Sequence, residues 1–355
     1  MEKTQSTIEP AVQEAQLCSA SAEGTLQPHQ PRPRVALLSN PKSTGNIAQL
    51  PRIREFAAEH PDVFHYEVER ADQIGEAMKV IARVRPTVLA INGGDGTVQA
   101  ALTELYNGGH FGDEPPPVAV LPSGKTNLIA LDLGARGDPI ETLERLIGLA
   151  RTDLKSFTVE RELIALRRGG EIEDRPVIGM FLGGAALAET MLYCREKIYP
   201  LGLPNSVAHM LTATAAFLKA LLGLKADFLP PDTKPLSVSL AEQDRQLNGR
   251  FSLPIVTTLE RLLLSTEFES RQEGRLRLLA IEEHPSSLMR ALGATIAGKL
   301  GRARMRGIHL EESNEIRIEG ESSAVILDGE TFRAEAGRPI LLRTAQPLSF
   351  VKLAA

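Results

Sequence analysis

Asn92-Gly93-Gly94-Asp95-Gly96-Thr97 is the stretch on which the fold turns. It follows the apolar run Val88-Leu89-Ala90-Ile91 and precedes a helix-patterned segment, Val98 to Leu105. Strand, glycine-rich turn and helix together make a phosphate-binding arrangement. Without side chains the backbone N–H groups can approach an anion, and the helix N-terminus adds a favourable dipole. Asp95 puts a carboxylate into a turn that otherwise attracts anions. By itself it would repel phosphate, so it makes sense as a holder of Mg2+-bound water or of a ribose hydroxyl. The same hexapeptide also reads as a tight turn that needs glycine only for its geometry. The flanking chain decides between the two.

On the N-terminal side, Arg34-Val35-Ala36-Leu37-Leu38 reads as a strand. It opens into Ser39-Asn40-Pro41-Lys42-Ser43-Thr44-Gly45-Asn46, a loop of small hydrogen-bonding residues ahead of a helix over about 47–60. This is a second candidate phosphate loop, or an ordinary turn built from Asn, Pro and Gly. A strand near Phe64–Val68, a helix over 72–84 and a strand over 87–91 follow. On the C-terminal side, Val118-Ala119-Val120-Leu121 delivers Pro122-Ser123-Gly124-Lys125-Thr126-Asn127, and segments 127–133 and 139–150 carry helical periodicity. Alternating β and α with short connections predicts a parallel sheet covered by helices, with ligands bound beyond the carboxyl ends of its strands. All three loops lie at that edge. Gly124-Lys125-Thr126 invites a P-loop reading, which fails: the glycine needed five positions earlier is Ala119, inside the strand. What remains is a polar loop with a lysine able to reach a phosphate.

Bulk composition narrows the class. A chain of 355 residues predicts two domains, each able to bury its own core. With 40 basic and 45 acidic residues the formal charge is −5, which argues against a general nucleic-acid binder. There is no tryptophan and the aromatic content is 4%, so stacking platforms for bases are not expected either. The two cysteines, Cys18 and Cys194, have no paired spacing, which excludes a disulfide scaffold or structural zinc site and suits a reducing compartment. Residues 1–32 are polar and end in Pro28-His29-Gln30-Pro31-Arg32; they read as a flexible tail with no secretory signal.

From about 156 onward strands dominate: 156–167, 177–183, Pro235–Leu240 and Phe251–Thr258. Residues 185–224 read as helical, with an apolar stretch Val207–Leu224 too short to span a membrane. That helix is expected to line a core or cleft, with contact at a membrane surface as the alternative, and His209 to be a satisfied histidine. Residues 285–299 read as helical. Lys299, Arg302, Arg304 and Arg306 then form a basic cluster, either a solvated face or a contact for an anionic headgroup. Val325-Ile326-Leu327-Asp328-Gly329-Glu330 ends a strand in two carboxylates around one glycine; alone, it is a hairpin turn signal. Strands over Pro339–Arg343 and Leu348–Val351 complete the pattern.

Three of these motifs carry a resemblance. Asn40-Pro41-x-Ser43-x-Gly45, then Gly93-Gly94-Asp95-Gly96-Thr97, then Pro122-x-Gly124-x-x-Asn127 ending in Leu133-Gly134, resembles the catalytic domain of the diacylglycerol/sphingosine lipid kinases, and the soluble bacterial members best. The resemblance is specific over about 34–155 and traceable to the C-terminus. It implies a fold class: an α/β N-terminal domain with a parallel sheet like that of NAD kinases and phosphofructokinases. A C-terminal, mainly antiparallel β-sandwich domain would follow, with an inter-domain cleft. The implied boundaries are 33–155 for the ATP-binding domain and 156–345 for the lipid-binding domain, with a helical insertion near 185–224. Residues 346–355 would return as a strand to the first domain.

The resemblance also implies a site. ATP would be held by Asn40, Ser43, Gly45, Gly93, Gly94, Asp95, Gly96, Thr97, Gly124, Lys125, Thr126 and Asn127. Glu330 would accept the proton of a lipid hydroxyl, and Asp95 and Asp328 would organise Mg2+ through water. Glu273 stands where the family places a structural Mg2+, although one methylene longer than the usual aspartate. Lys125 stands where the family has threonine, Leu128 where it has aspartate, and Arg70-Ala71 where a nucleotide-contacting threonine is expected. Implied partners are ATP, Mg2+ and a lipid substrate at a membrane surface, with no nucleic acid and no transmembrane segment. Cytoplasmic residence with transient peripheral membrane contact follows, and a homodimer stays among the options. A catalytically degenerate binder of nucleotide or lipid, and more distantly an NAD kinase, remain alternatives.

Overall fold

The computed structural model describes residues 34–169, 175–201, 205–224, 231, 233–243, 245–260, 275–300 and 304–353. The expected tail over 1–32, Glu273, Arg302 and the side chain of His209 lie outside the described residues.

The first half alternates as expected. It runs β1 (Val35–Ser39), α1 (Asn46–Glu59), β2 (Val63–Glu67), a short 3-10 turn, α2 (Ile74–Val84), β3 (Val88–Gly93), α3 (Asp95–Asn107), β4 (Val118–Pro122), α4 (Leu128–Asp132) and α5 (Pro139–Arg151). β1, β2, β3 and β4 pair in parallel in the order β2-β1-β3-β4. Val35–Leu38, Val88–Ile91 and Val118–Ala119 are fully buried, because helices cover both faces of the sheet: α1 packs with α5, and α2 with α3. Asp138 caps α5 by accepting from Ile140 N–H at 2.9 Å, with Pro139 at the first helical position.

The second half is built on β5 (Thr158–Arg168), β6 (Val177–Gly179), β7 (Phe181–Gly184), α6 (Ala185–Tyr193), α7 (Asn205–Leu222), β8 (Leu236–Leu240), β9 (Arg245–Gly249), β10 (Phe251–Thr257), β11 (Leu276–Glu282) and α8 (Pro285–Ile296). β12 (Ile308–Ser313), β13 (Glu315–Gly320), β14 (Ser323–Leu327), β15 (Glu330–Ala334) and β16 (Ile340–Val351) close the chain. One sheet continues from β4 through β16 into β13, β8 and β9, with β5 paired to β16 and β6 to β5. The other is antiparallel, in the order β12-β11-β10-β7-β14-β15. Their inner faces meet in one core containing Leu166, Val238, Leu278, Val325 and Leu342, which makes this half a β-sandwich.

Three expectations need correction. The strand over 177–183 is two strands, in different sheets, broken at Met180. The helix over 185–224 is interrupted by a π-turn (Cys194–Ile198) and a 3-10 turn (Tyr199–Leu201) around Pro200, whose ring cannot continue a helix. The two final strands are one, β16, with a register shift between Ala345 and Leu348.

Candidate active site

Parallel register brings the three loops together. Ser39 is level with Asn92, and Gly93 with Pro122, so the chain leaves β1, β3 and β4 side by side. Buried Asn92 ties the loops to one another: its Nδ2 donates to Ser39 Oγ at 3.0 Å, and its Oδ1 accepts from Ser123 Oγ. Asn46 Nδ2 donates to the carbonyls of Asn40 at 2.8 Å and Asn92 at 3.0 Å. Asn40 Nδ2 donates to Thr97 Oγ1 at 2.9 Å, and Gly94 N–H to Ser43 Oγ at 2.9 Å. Gly45 N–H donates to the Ser123 carbonyl at 3.0 Å. Much of the expected nucleotide set therefore holds the loops in place and leaves backbone facing the cavity. Asn40, Gly45, Thr97 and Asn127 act in this way, Asn127 by accepting from Gly124 N–H at 2.7 Å in a left-handed conformation (φ 55°).

Gly124 is required by close approach: a Cβ there would come 2.9 Å from Gly94 Cα. A Cβ on Gly96 would come 2.9 Å from Glu330 Oε1, the movable end of a side chain. The second contact places the Glu330 carboxylate over the N-terminal turn of α3, where the helix dipole favours negative charge. Between the loops lies a cavity of about 410 Å3 whose walls include Lys42, Ser43, Asp95, Lys125, Tyr199 and Glu330. Lys125 Nζ sits 3.9 Å from the centre of the Tyr199 ring, a cation–π contact. The motif reading gave no sign of Tyr199 or of Met191, which lines the same cavity.

Asp328 and Gly329 form the two-residue turn between β14 and β15, with φ of 42° and 95° and with Leu327 paired to Glu330. This is the primed turn geometry that Asp-Gly favours, and it starts β15 with Glu330 at the cavity wall. Asp328, expected in a metal–water network, has a structural duty as well. It is buried, and its two oxygens accept from the N–H groups of Met180 at 2.7 Å and Phe181 at 3.0 Å, where the chain crosses between sheets. Burial pushes its carboxyl up to about 8 against the pull of the Met180 N–H, while nearby Asp95 raises it further and the Phe181 N–H opposes. The Met180 carbonyl accepts from Thr257 Oγ1 at 2.9 Å, so the crossing is satisfied on both sides.

A second cavity, of about 530 Å3, lies between the antiparallel sheet and α6, α7 and α8. Phe181, Leu187, Phe217, Leu253, Leu279 and Leu288 are among its walls. It adjoins the polar cavity through chain neighbours: Thr190 lines the apolar space and Met191 the polar one, and Leu128 lines the apolar space just beyond Thr126 in the polar one. A hydrogen-bonding compartment thus lies close to one suited to hydrocarbon.

Residues 34–159 match the model of the diacylglycerol kinase catalytic domain. Among curated proteins none matches the chain. A Bacillus anthracis str. Sterne protein assigned as a diacylglycerol kinase is similar in fold, with 16% identity and TM-score 0.61 over 90% of this chain and 97% of that one. A structure of a diacylglycerol kinase from the same organism gives 15% identity and TM-score 0.52 over 90% and 97%. Yeast NADH kinase complexed with NADH gives 10% identity and TM-score 0.51 over 92% and 85%. These likenesses show the architecture: an NAD-kinase-like parallel sheet followed by an antiparallel one.

Proposed function

We propose that the protein is an ATP-dependent lipid kinase of the diacylglycerol kinase class, transferring the γ-phosphoryl group to a lipid hydroxyl and giving a phospholipid such as phosphatidic acid. The observation that carries this reading is the nearness of the two cavities, with Glu330 on the polar wall. The loops after β1, β3 and β4 would take the nucleotide phosphates on backbone N–H groups and on Lys42, Lys125 and Ser43. The acyl body would occupy the apolar space. Glu330 then accepts the proton of the lipid hydroxyl, whose oxygen forms the new P–O bond as the bond to the bridging β,γ-oxygen breaks and ADP departs.

The residues present fit Mg2+. Among the described residues no group of three or more His, Cys, Asp or Glu forms a cage, but Asp95 and Glu330 both line the cavity, and Mg2+ accompanying a nucleotide needs only one or two carboxylates. Asp95 would hold it, and the ion would neutralise charge on the transferring phosphoryl group. Lipid hydroxyls of several classes, incubated with labelled ATP beside an NAD arm, test the proposal. Labelled lipid is the expected product; labelled NADP, or ATP binding without turnover on any acceptor, overturns it.

A further inference from the structure

α7 is apolar on nearly every side and yet is covered on only one. Of its described side chains only Ala208 and Thr212 are buried, while Phe217 and Ala220 face the apolar cavity. Its outer surface carries Met210 (66% exposed), Leu218 and Leu222 (62%). α8 repeats the pattern at helical spacing: Leu288 and Ala291 point inward, while Met289 (51%), Leu292 (41%) and Ile296 (80%) point out. The two helices pack on one another, so these side chains make one exposed apolar face. A soluble surface rarely gathers so many large apolar side chains without something to cover them.

Charge and continuity say what covers it. Residues 205–224 and 285–300 contain no Asp or Glu, in a chain with 45 of them, and their charged residues are Lys219, Arg290 and Lys299. Arg304 and Arg306 follow close behind α8. Two apolar helices whose own charged residues are all cations, with Glu282 and Glu283 only ahead of α8 and Arg304 paired to Glu311, match the interface of an anionic bilayer, hydrocarbon contact in the middle and headgroup contact at the margin. Leu292 belongs both to this face and to the wall of the apolar cavity, so the face is the outside of the compartment that would hold the acyl chain. We infer that the α7–α8 face docks on an anionic membrane surface and admits the lipid between the two helices into the cavity. The inference rests on the lipid-kinase reading for its cargo, but not for the docking itself. No helix among the described residues is long and apolar enough to cross a membrane, so contact would be peripheral.

The test uses the full chain and vesicles of phosphatidylcholine with or without phosphatidylserine, read by flotation. Wild type is expected to float with the anionic vesicles. Met289→Gln/Ile296→Gln, at positions that line neither cavity, should lose roughly tenfold or more of that binding. Lys299→Gln should weaken binding only where phosphatidylserine is present. Ile296→Trp gives a chain that otherwise lacks tryptophan a single fluorophore, which should shift to the blue on adding anionic vesicles. Turnover on a short-chain lipid dissolved as monomer should be the same in wild type and the double variant, and turnover on vesicle-borne lipid should fall in the variant. Equal flotation of wild type and double variant, or an unshifted Ile296→Trp emission, overturns the inference. So does a wild-type dimer that the double variant dissociates without any vesicle binding, which would make the face an interface between two copies. If wild type floats but phosphorylates no lipid even as monomer, the kinase reading fails while the docking face stands.

Discussion

The two cavities of this protein are built by opposite means. The polar one is assembled from three short loops whose side chains bind each other and whose backbone does the facing; Asn40, Asn46 and Asn92 fasten it, and Gly94 and Gly124 meet across it. The apolar one is fastened less by hydrogen bonds; among its described walls Thr233 Oγ1 donates to the Glu283 carboxylate. Its walls are side chains from a sheet and three helices, one of which is barely buried. The difference teaches where precision is placed: hydrogen bonds fix the compartment that in the proposed reaction would align a phosphoryl group, whereas shape-tolerant apolar contact would suffice for a hydrocarbon body.

Substitutions can break this contrast. The largest effect is expected from Glu330→Gln, which should lower turnover by about 10²–10⁴-fold and shift the melting temperature only slightly, because the exposed residue loses its proposed proton-accepting role and a weak helix-dipole interaction. Gly124→Ala should come next. Its methyl would push the third loop off Gly94, and nucleotide affinity, measured calorimetrically, should fall by roughly tenfold or more. On the other side of the contrast, Ala291→Phe fills the apolar cavity. Catalytic efficiency on a long-chain lipid should drop about tenfold while nucleotide affinity stays put. If nucleotide affinity fell equally, the two compartments would not be separable.

Asp328 tests the seam between them. Its folded carboxyl titrates at about 8, above the ordinary 3.8, so the folded chain holds an extra proton between those values. That contribution to stability is complete below about pH 3.8 and is lost as the pH rises through 8. Urea unfolding from pH 5 to about 8 should show stability falling with pH in the wild type and a flatter profile in Asp328→Asn. The variant should also be about 1–3 kcal/mol less stable, since its amide nitrogen cannot accept the backbone N–H that an oxygen accepts now. The smallest effect belongs to Tyr199→Leu, which removes the ring under Lys125 and should change nucleotide KM by about two- to fivefold.

The contrast also explains what could be read from residues alone. The polar compartment is written in contiguous motifs, and parallel register joins them, so Asn40, Asp95 and Gly124 were legible as one site. Asp328-Gly329 was legible twice over, as a turn and as the bearer of Glu330. The break at Met180 was not. Val177-Ile178-Gly179-Met180-Phe181 is apolar throughout, and such a run does not say which sheet each half joins. β9, Arg245-Gln246-Leu247-Asn248-Gly249, escaped because an edge strand with one buried side chain carries no apolar alternation. Tyr199 escaped because its meeting with Lys125 is made by the broken helix, a tertiary event with no local signature.

β16 has a consequence for how the chain reaches this state. One edge of it pairs with β5 along nearly its whole length, while the other takes β13 near Ile340–Arg343 and β4 at Phe350. It is the last of the described strands in chain order and lies in the middle of the larger sheet. Until it emerges from the ribosome, β4 and β13 both present open edges to other nascent chains, and the nucleotide half cannot join its sheet to the rest. Assembly must therefore wait for contacts of very long sequence separation, such as Phe350 with Val118, which makes folding slow.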